Sequence, residues 1–198
     1  DIHGCLEALE TILTEAGPVD DGIAVLFSQD SMRMASILDG NERFTANLTG
    51  WTSLLHEAGL KYRFVGSGDI AGLAGKGYTA LILPQNLLLD DGEIAALKEF
   101  VSGGGILIAD VETGLYDRIG RLRPGDPVAA LFGIARSAGT SGPGELAARA
   151  DWLKGKEFRV ILHGDGASPK GAAPQATVGG RDAVFINAHG KGKSVYLG

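Results

Sequence analysis

Lys76-Gly-Tyr-Thr-Ala-Leu-Ile-Leu-Pro84 and, five residues on, Leu89-Asp-Asp-Gly-Glu-Ile-Ala-Ala-Leu-Lys-Glu-Phe-Val-Ser-Gly-Gly-Gly-Ile-Leu-Ile-Ala-Asp110 read as strand, helix and strand in succession. Tyr78 to Leu83 is a short apolar run closed by Pro84, the form of a strand buried on both faces of a parallel sheet. Asp90-Asp91 sets acidic side chains at the positive end of a helix dipole. Ile94, Leu97, Phe100 and Val101 then follow three-and-four spacing until Gly103-Gly104-Gly105 ends the helix and Ile106 to Ala109 begins the next strand.

The same alternation extends toward the N-terminus. Ile23 to Phe27 is another continuous apolar run, followed by a polar loop, Ser28-Gln-Asp-Ser31, and a less regular stretch. Phe44, Leu48, Trp51, Leu55 and Ala58 predict a helix over 42–58 stopped by Gly59, and Tyr62 to Val65 a strand. Ile2, Leu6, Leu9, Ile12 and Leu13 mark one face of a helix ended by Gly17-Pro18, so residues 1–21 read as an N-terminal helix and linker and 22–198 as the α/β domain. The order of elements is that of a flavodoxin-like doubly wound parallel sheet.

Toward the C-terminus, 114–126 reads as an irregular loop, Pro127 to Phe132 as a short helix, and Ala138 to Glu145 as a flexible excursion. Residues 158–198 form a β-rich part. Phe158 to Leu162, Ala183 to Ile186 and Ser194 to Leu197 are strands separated by Gly/Ala/Pro-rich turns. The last two predict an antiparallel hairpin around His189-Gly-Lys-Gly-Lys193, either extending the edge of the sheet or forming a small β appendage.

Composition narrows the function. The chain has 198 residues, 44% hydrophobic and 21% charged, which suits one soluble domain with a real core. A net charge of −6 without a Lys/Arg cluster removes nucleic acid and membrane surfaces as leading partners. The single cysteine, Cys5, excludes an internal disulfide and any multi-thiolate metal site. No apolar run approaches the ~20 residues that span a bilayer, and no targeting segment is visible, so the expected location is the cytoplasm. A start at Asp1 without methionine and an end at Gly198 directly after a strand suggest a piece of a longer protein.

The catalytic motifs fail one by one. Asp1-Ile-His-Gly4 resembles the first metal motif of metallophosphoesterases, but Asp39-Gly-Asn-Glu42 lacks the histidine that should follow, so no metal is assigned. Cys5 lies in a helix, no Gly-x-Ser-x-Gly or Gly-x-Cys-x-Gly elbow occurs, and His163 and His189 have no nucleophile to serve. The turn after the first strand, Ser28-Gln29-Asp30, has no glycine for a pyrophosphate to approach, so no cofactor is expected. What remains is a polar fringe where a flavodoxin-like sheet gathers ligands: Ser28, Gln29, Asp30 and Ser31, then Gln85 and Asn86, then Asp110, Glu112 and Thr113. That fringe could bind a sugar or another polar small molecule, or simply cap buried strands.

The two segments quoted at the outset resemble glutamine-amidotransferase-like domains that lack the nucleophile, and among these the trimerisation domain of β-galactosidases of glycoside hydrolase family 42. Ile23 to Phe27, Trp51 to Phe64 and the closing Gly180-Arg-Asp-Ala-Val-Phe-Ile-Asn-Ala-His-Gly-Lys-Gly-Lys-Ser-Val-Tyr-Leu-Gly198 fit the same domain. The resemblance implies a non-catalytic domain that assembles subunits as a trimer and flanks the active site of a (β/α)8 barrel in the same polypeptide. In that family two glutamates on the barrel, about 5 Å apart, perform a retaining hydrolysis. No residue here matches the barrel motifs, so the resemblance transfers no catalytic residue to this chain. The alternative expectation is a small-molecule binding module using Ser28, Gln29, Asp30, Gln85, Asn86, Asp110 and Glu112.

Overall fold

A computed structural model describes residues 20–137, 141–148, 159–163 and 166–198. The N-terminal helix expected before residue 20, with Cys5, lies outside the described residues. In chain order the elements are β1 (Ile23–Leu26), α1 (Gln29–Asp39), α2 (Glu42–Glu57), β2 (Tyr62–Val65), β3 (Ala80–Leu83), α3 (Asp91–Ser102), β4 (Ile106–Ala109) and α4 (Pro127–Phe132), followed by seven strands. These are β5 (Ile134–Ala135), β6 (Ser141–Ala148), β7 (Arg159–His163), β8 (Ser168–Pro169), β9 (Ala173–Val178), β10 (Arg181–His189) and β11 (Gly192–Leu197).

One sheet runs in the order β2-β1-β3-β4-β11-β10-β9-β6-β7, and β5 pairs with β8 in a separate two-stranded piece. The first five strands are parallel, with β11 in register beside β4 (Ser194 opposite Leu107), so the C-terminal strand closes a flavodoxin-like order. From β11 onward the described pairings are antiparallel. The predicted hairpin therefore does extend the sheet. The sheet continues past it through β9, β6 and β7.

Alternating side chains of the short strands feed two cores. Leu81, Leu83, Leu107, Phe185 and Tyr196 pack against Ile94, Leu97, Phe100 and Val101 of α3 and Val128, Leu131 and Phe132 of α4. On the opposite face Val25 and Ile82 meet Leu55 and Trp51 of α2. Helices on both faces make the sheet doubly wound. Ser194 Oγ and Asn187 Nδ2 donate to the Leu131 carbonyl at 2.9 and 3.0 Å, fixing the hairpin to the end of α4. At Gly192 the backbones come so close that a Cβ would overlap the carbonyl oxygens of Gly105 and Val101.

Three expectations are corrected. The segment after β1, read as a loop and an irregular stretch, is α1. Ser28 caps it, its Oγ accepting the Ser31 N–H at 3.1 Å, and Gly40 ends it in the left-handed conformation. The helix was hidden because its buried positions are only Ser31 and Ala35, which leave no apolar stripe to read. Most of the predicted flexible excursion is β6, whose first half pairs with β7 and second half with β9. Pro143 lies in the half with a single strand neighbour, where a missing donor is tolerated. The turn region before Gly179 contains β9, opposite β10 from Arg181 to Ile186.

Candidate functional site

The carboxyl ends of β1, β3 and β4 bring the expected fringe to one end of the sheet, where it divides into two. Gln85, Asn86, Asp110 and Thr113 are buried. Asp110 accepts the Gln85 backbone N–H at 2.5 Å and the Trp51 indole N–H at 3.0 Å, so its carboxylate ties β3 and β4 to α2. Gln85 Nε2 donates to Glu112 at 3.2 Å, and Glu112 meets Arg43 at 3.1 Å. Arg43 in turn bonds Asp39 at 2.5 Å, joining the start of α2 to the end of α1. Burial works against the charge of Arg43, but the bond to Asp39 and the nearby Glu112 outweigh it and hold its pKa above the ordinary value. Asn86 Nδ2 donates to the Pro84 carbonyl at 3.2 Å, and Thr113 Oγ1 to that of Asp110 at 2.9 Å.

This network has local costs. Gln85 and Glu112 adopt positive φ, at 38° and 63°, and the amide oxygens of Gln85 and Asn86 have no partner among the described residues. The charge-assisted bonds to Asp110 are the stronger kind and offset them.

Ser28, Gln29 and Asp30 stand apart, at the start of α1. Ser28 and Asp30 line an open cleft of about 320 Å³ with Ser67, Asp90, Glu93 and Arg118. Four of its polar groups are engaged in local structure. Ser28 caps α1, and Asp30 pairs with Arg33 at 3.1 Å. Asp90 and Glu93 close a reciprocal capping box on α3, at 2.6 and 2.7 Å. Gln29 borders a shallower groove beside Phe27 and Phe64. Among the described residues no group of His, Cys, Asp and Glu is arranged to hold a metal ion.

Sequence reasoning missed the second anchor of this end. Arg136, with a side chain 4% exposed, bonds both carboxylate oxygens of Asp126 at 2.5 and 2.6 Å. It also donates to the Thr113 carbonyl at 2.8 Å and lies over the Tyr196 ring, 5.8 Å from its centre. Burial lowers its pKa, but Asp126 and Tyr196 more than reverse this and raise it above the ordinary arginine value. Asp126 does double duty, its Oδ1 also capping α4 at Ala129 N–H, 2.8 Å away. The available signal was an Asp-Pro pair opening a helix; nothing local pointed to Arg136 as its partner.

A family model described as the β-galactosidase trimerisation domain matches residues 21–198. The chain belongs to that family. A β-galactosidase of Geobacillus kaustophilus is 29% identical to this trimerisation domain over 129 residues, covering 61% of the chain and 19% of the relative. The β-galactosidase of Rahnella sp. R3 superposes with a TM-score of 0.81 at 21% identity, over 96% of this chain and 30% of that one. Gan42B, a GH42 β-galactosidase of G. stearothermophilus, gives 0.80 at 20% identity, over 97% and 29%. At these identities the structural likeness is one of fold. The domain thus spans about a fifth of the curated relatives it matches and under a third of these two solved chains.

Proposed function

We propose that this domain joins copies of a β-galactosidase-like glycoside hydrolase into a trimer and performs no chemistry of its own. In this reading the catalytic (β/α)8 barrel lies in the same polypeptide, the domain flanks the barrel's active site, and the protein works in the cytoplasm. The observation that carries it is the match to the trimerisation family over residues 21–198. The polar fringe supports it, because Asp110, Glu112 and Gln85 bond to one another and to Trp51 and Arg43. A module built to bind a polar ligand would hold such groups toward the cleft.

The test is hydrolysis of a chromogenic β-galactoside by the full-length protein and by the 198-residue chain alone. Turnover by the first and none by the second is expected. Turnover by the isolated chain would overturn the non-catalytic reading, and an inactive full-length protein would overturn the enzyme reading. Fractionation of the source cells checks the location.

A further inference from the structure

The described residues expose eight large hydrophobic side chains; two of them lie on α1 and two on the 116–122 hairpin, which packs beside it. Ile37 and Leu38, 81% and 46% exposed, lie on α1 one turn beyond Met34. Met34 packs into a cluster with Phe44, Leu88 and Tyr116. Tyr116 opens a tight hairpin by bridging to Leu122, and the Asp117 N–H donates to the Arg121 carbonyl at 2.9 Å. Asp117 Oδ1 accepts the N–H groups of Ile119 and Arg121, which holds the tip in shape. The tip lies against α1: a Cβ on Gly120 would stand 3.6 Å from the Met34 sulfur. Ile119 and Leu122, 68% and 67% exposed, therefore continue the surface begun by Ile37 and Leu38.

We propose that this surface, the outer face of α1 with the 116–122 hairpin, is where one copy of the protein seats a second copy. The inference rests on the assembly reading above and names the surface that reading requires. A trimerisation domain must present a copy-to-copy contact, and no other described region concentrates exposed apolar side chains in this way. The remaining four, Leu54, Leu60, Phe64 and Ile106, lie on α2, on the connection from α2 to β2, on β2 and at the start of β4. The composition suits a protein partner. The exposed side chains are Ile and Leu, with Arg118 and Arg121 in the same hairpin, and interface cores are enriched in apolar and Arg side chains. A small polar ligand would find few hydrogen-bonding groups there. The bonded hairpin is ordered before contact, so little freedom is lost on docking. A ring closes through head-to-tail contacts, so each joint contains this surface at least once and one substitution reaches every joint.

The experiment is sedimentation equilibrium of the full-length protein as wild type, Ile37→Glu, Leu122→Glu and the control Leu54→Glu. Ile37 and Leu122 are already solvated in a single copy, so their variants should keep the wild-type melting temperature once the oligomer has dissociated. Both are expected to raise the dissociation constant roughly 30-fold or more, while Leu54→Glu leaves it unchanged. Hydroxyl-radical footprinting of the wild type should show residues 37, 38, 119 and 122 protected at high protein concentration and reactive at low concentration. An oligomeric wild type with both variants and the footprint unchanged overturns this surface and leaves the assembly reading standing. A fall in melting temperature at constant mass means that the protein's own chain covers the surface, and also overturns it. A wild type that is monomeric at every concentration overturns the assembly reading and this inference together.

Discussion

The fringe around Asp110 and the outer face of α1 lie at the same end of the sheet and are built in opposite ways. The fringe is polar, buried and bonded inward, with Asp110 holding Gln85 and Trp51. The α1 face is apolar and exposed at Ile37 and Leu38. Position at the carboxyl ends of parallel strands is where this class of sheet gathers ligands, yet here Asp110, Gln85 and Glu112 bond to one another and to Trp51 and Arg43, while α1 exposes apolar side chains. The lesson is that a polar cluster at a switch point becomes a ligand site only if its groups remain available. Where they do not, what the surface offers instead is the better guide to function.

Mutations can break this contrast, beginning with the strongest anchor. Arg136→Ala removes both bonds to Asp126 and the one to the Thr113 carbonyl, leaving partly buried groups without their counter-charge. It should cost about 3–5 kcal/mol, a melting temperature lower by roughly 10 °C in a thermal scan. Asp110→Ala strands the buried Gln85 N–H and the half-buried Trp51 indole N–H, and should cost about 2–4 kcal/mol by denaturant titration. If Asp110 served a ligand instead, its loss would leave stability unchanged. Trp51→Phe keeps most of the packing and removes one donor to a carboxylate, for about 1.5–3 kcal/mol in the same titration.

On the exposed side, Ile119→Ser should alter the stability of the single copy by no more than about 0.5 kcal/mol, since the side chain is already solvated. The smallest effect concerns surface charge. The side-chain bonds from Arg63 to Asp20 and from Lys76 to Asp69, with backbone bonds in support, hold both carboxyls below the ordinary value of 3.8. Their stabilisation is complete above that unfolded-state value and is lost as pH falls through the lower folded-state values. Lys76→Gln should therefore lower the melting temperature slightly at about pH 6 and hardly at all near pH 2, and the difference should shrink in about 1 M salt.

How legible each region was in the sequence follows the same division. The β3–α3–β4 unit reads directly because Leu81, Ile82, Leu107, Ile94 and Leu97 must be apolar to fill a two-sided sheet, and Asp90 and Gly103 mark the helix ends. α1 does not, because its fully buried positions are only Ser31 and Ala35, with Met32 and Met34 half-buried beside them, while Ile37 and Leu38 point to solvent. A helix that exposes two of its large apolar residues defeats a search for an inward stripe. β6 and β9 contain prolines and small residues and take their form from strand partners distant in sequence. The fringe residues were all placed near the strand ends, but whether they bond to one another or to a ligand depends on Trp51, Arg43 and Arg136, which arrive from other elements.

The most direct test of the account is the solution mass of the unmodified full-length protein, by sedimentation equilibrium across a wide concentration range. A trimer gives three times the mass of one polypeptide at high concentration, with reversible dissociation on dilution. A mass of one polypeptide at every concentration would contradict it.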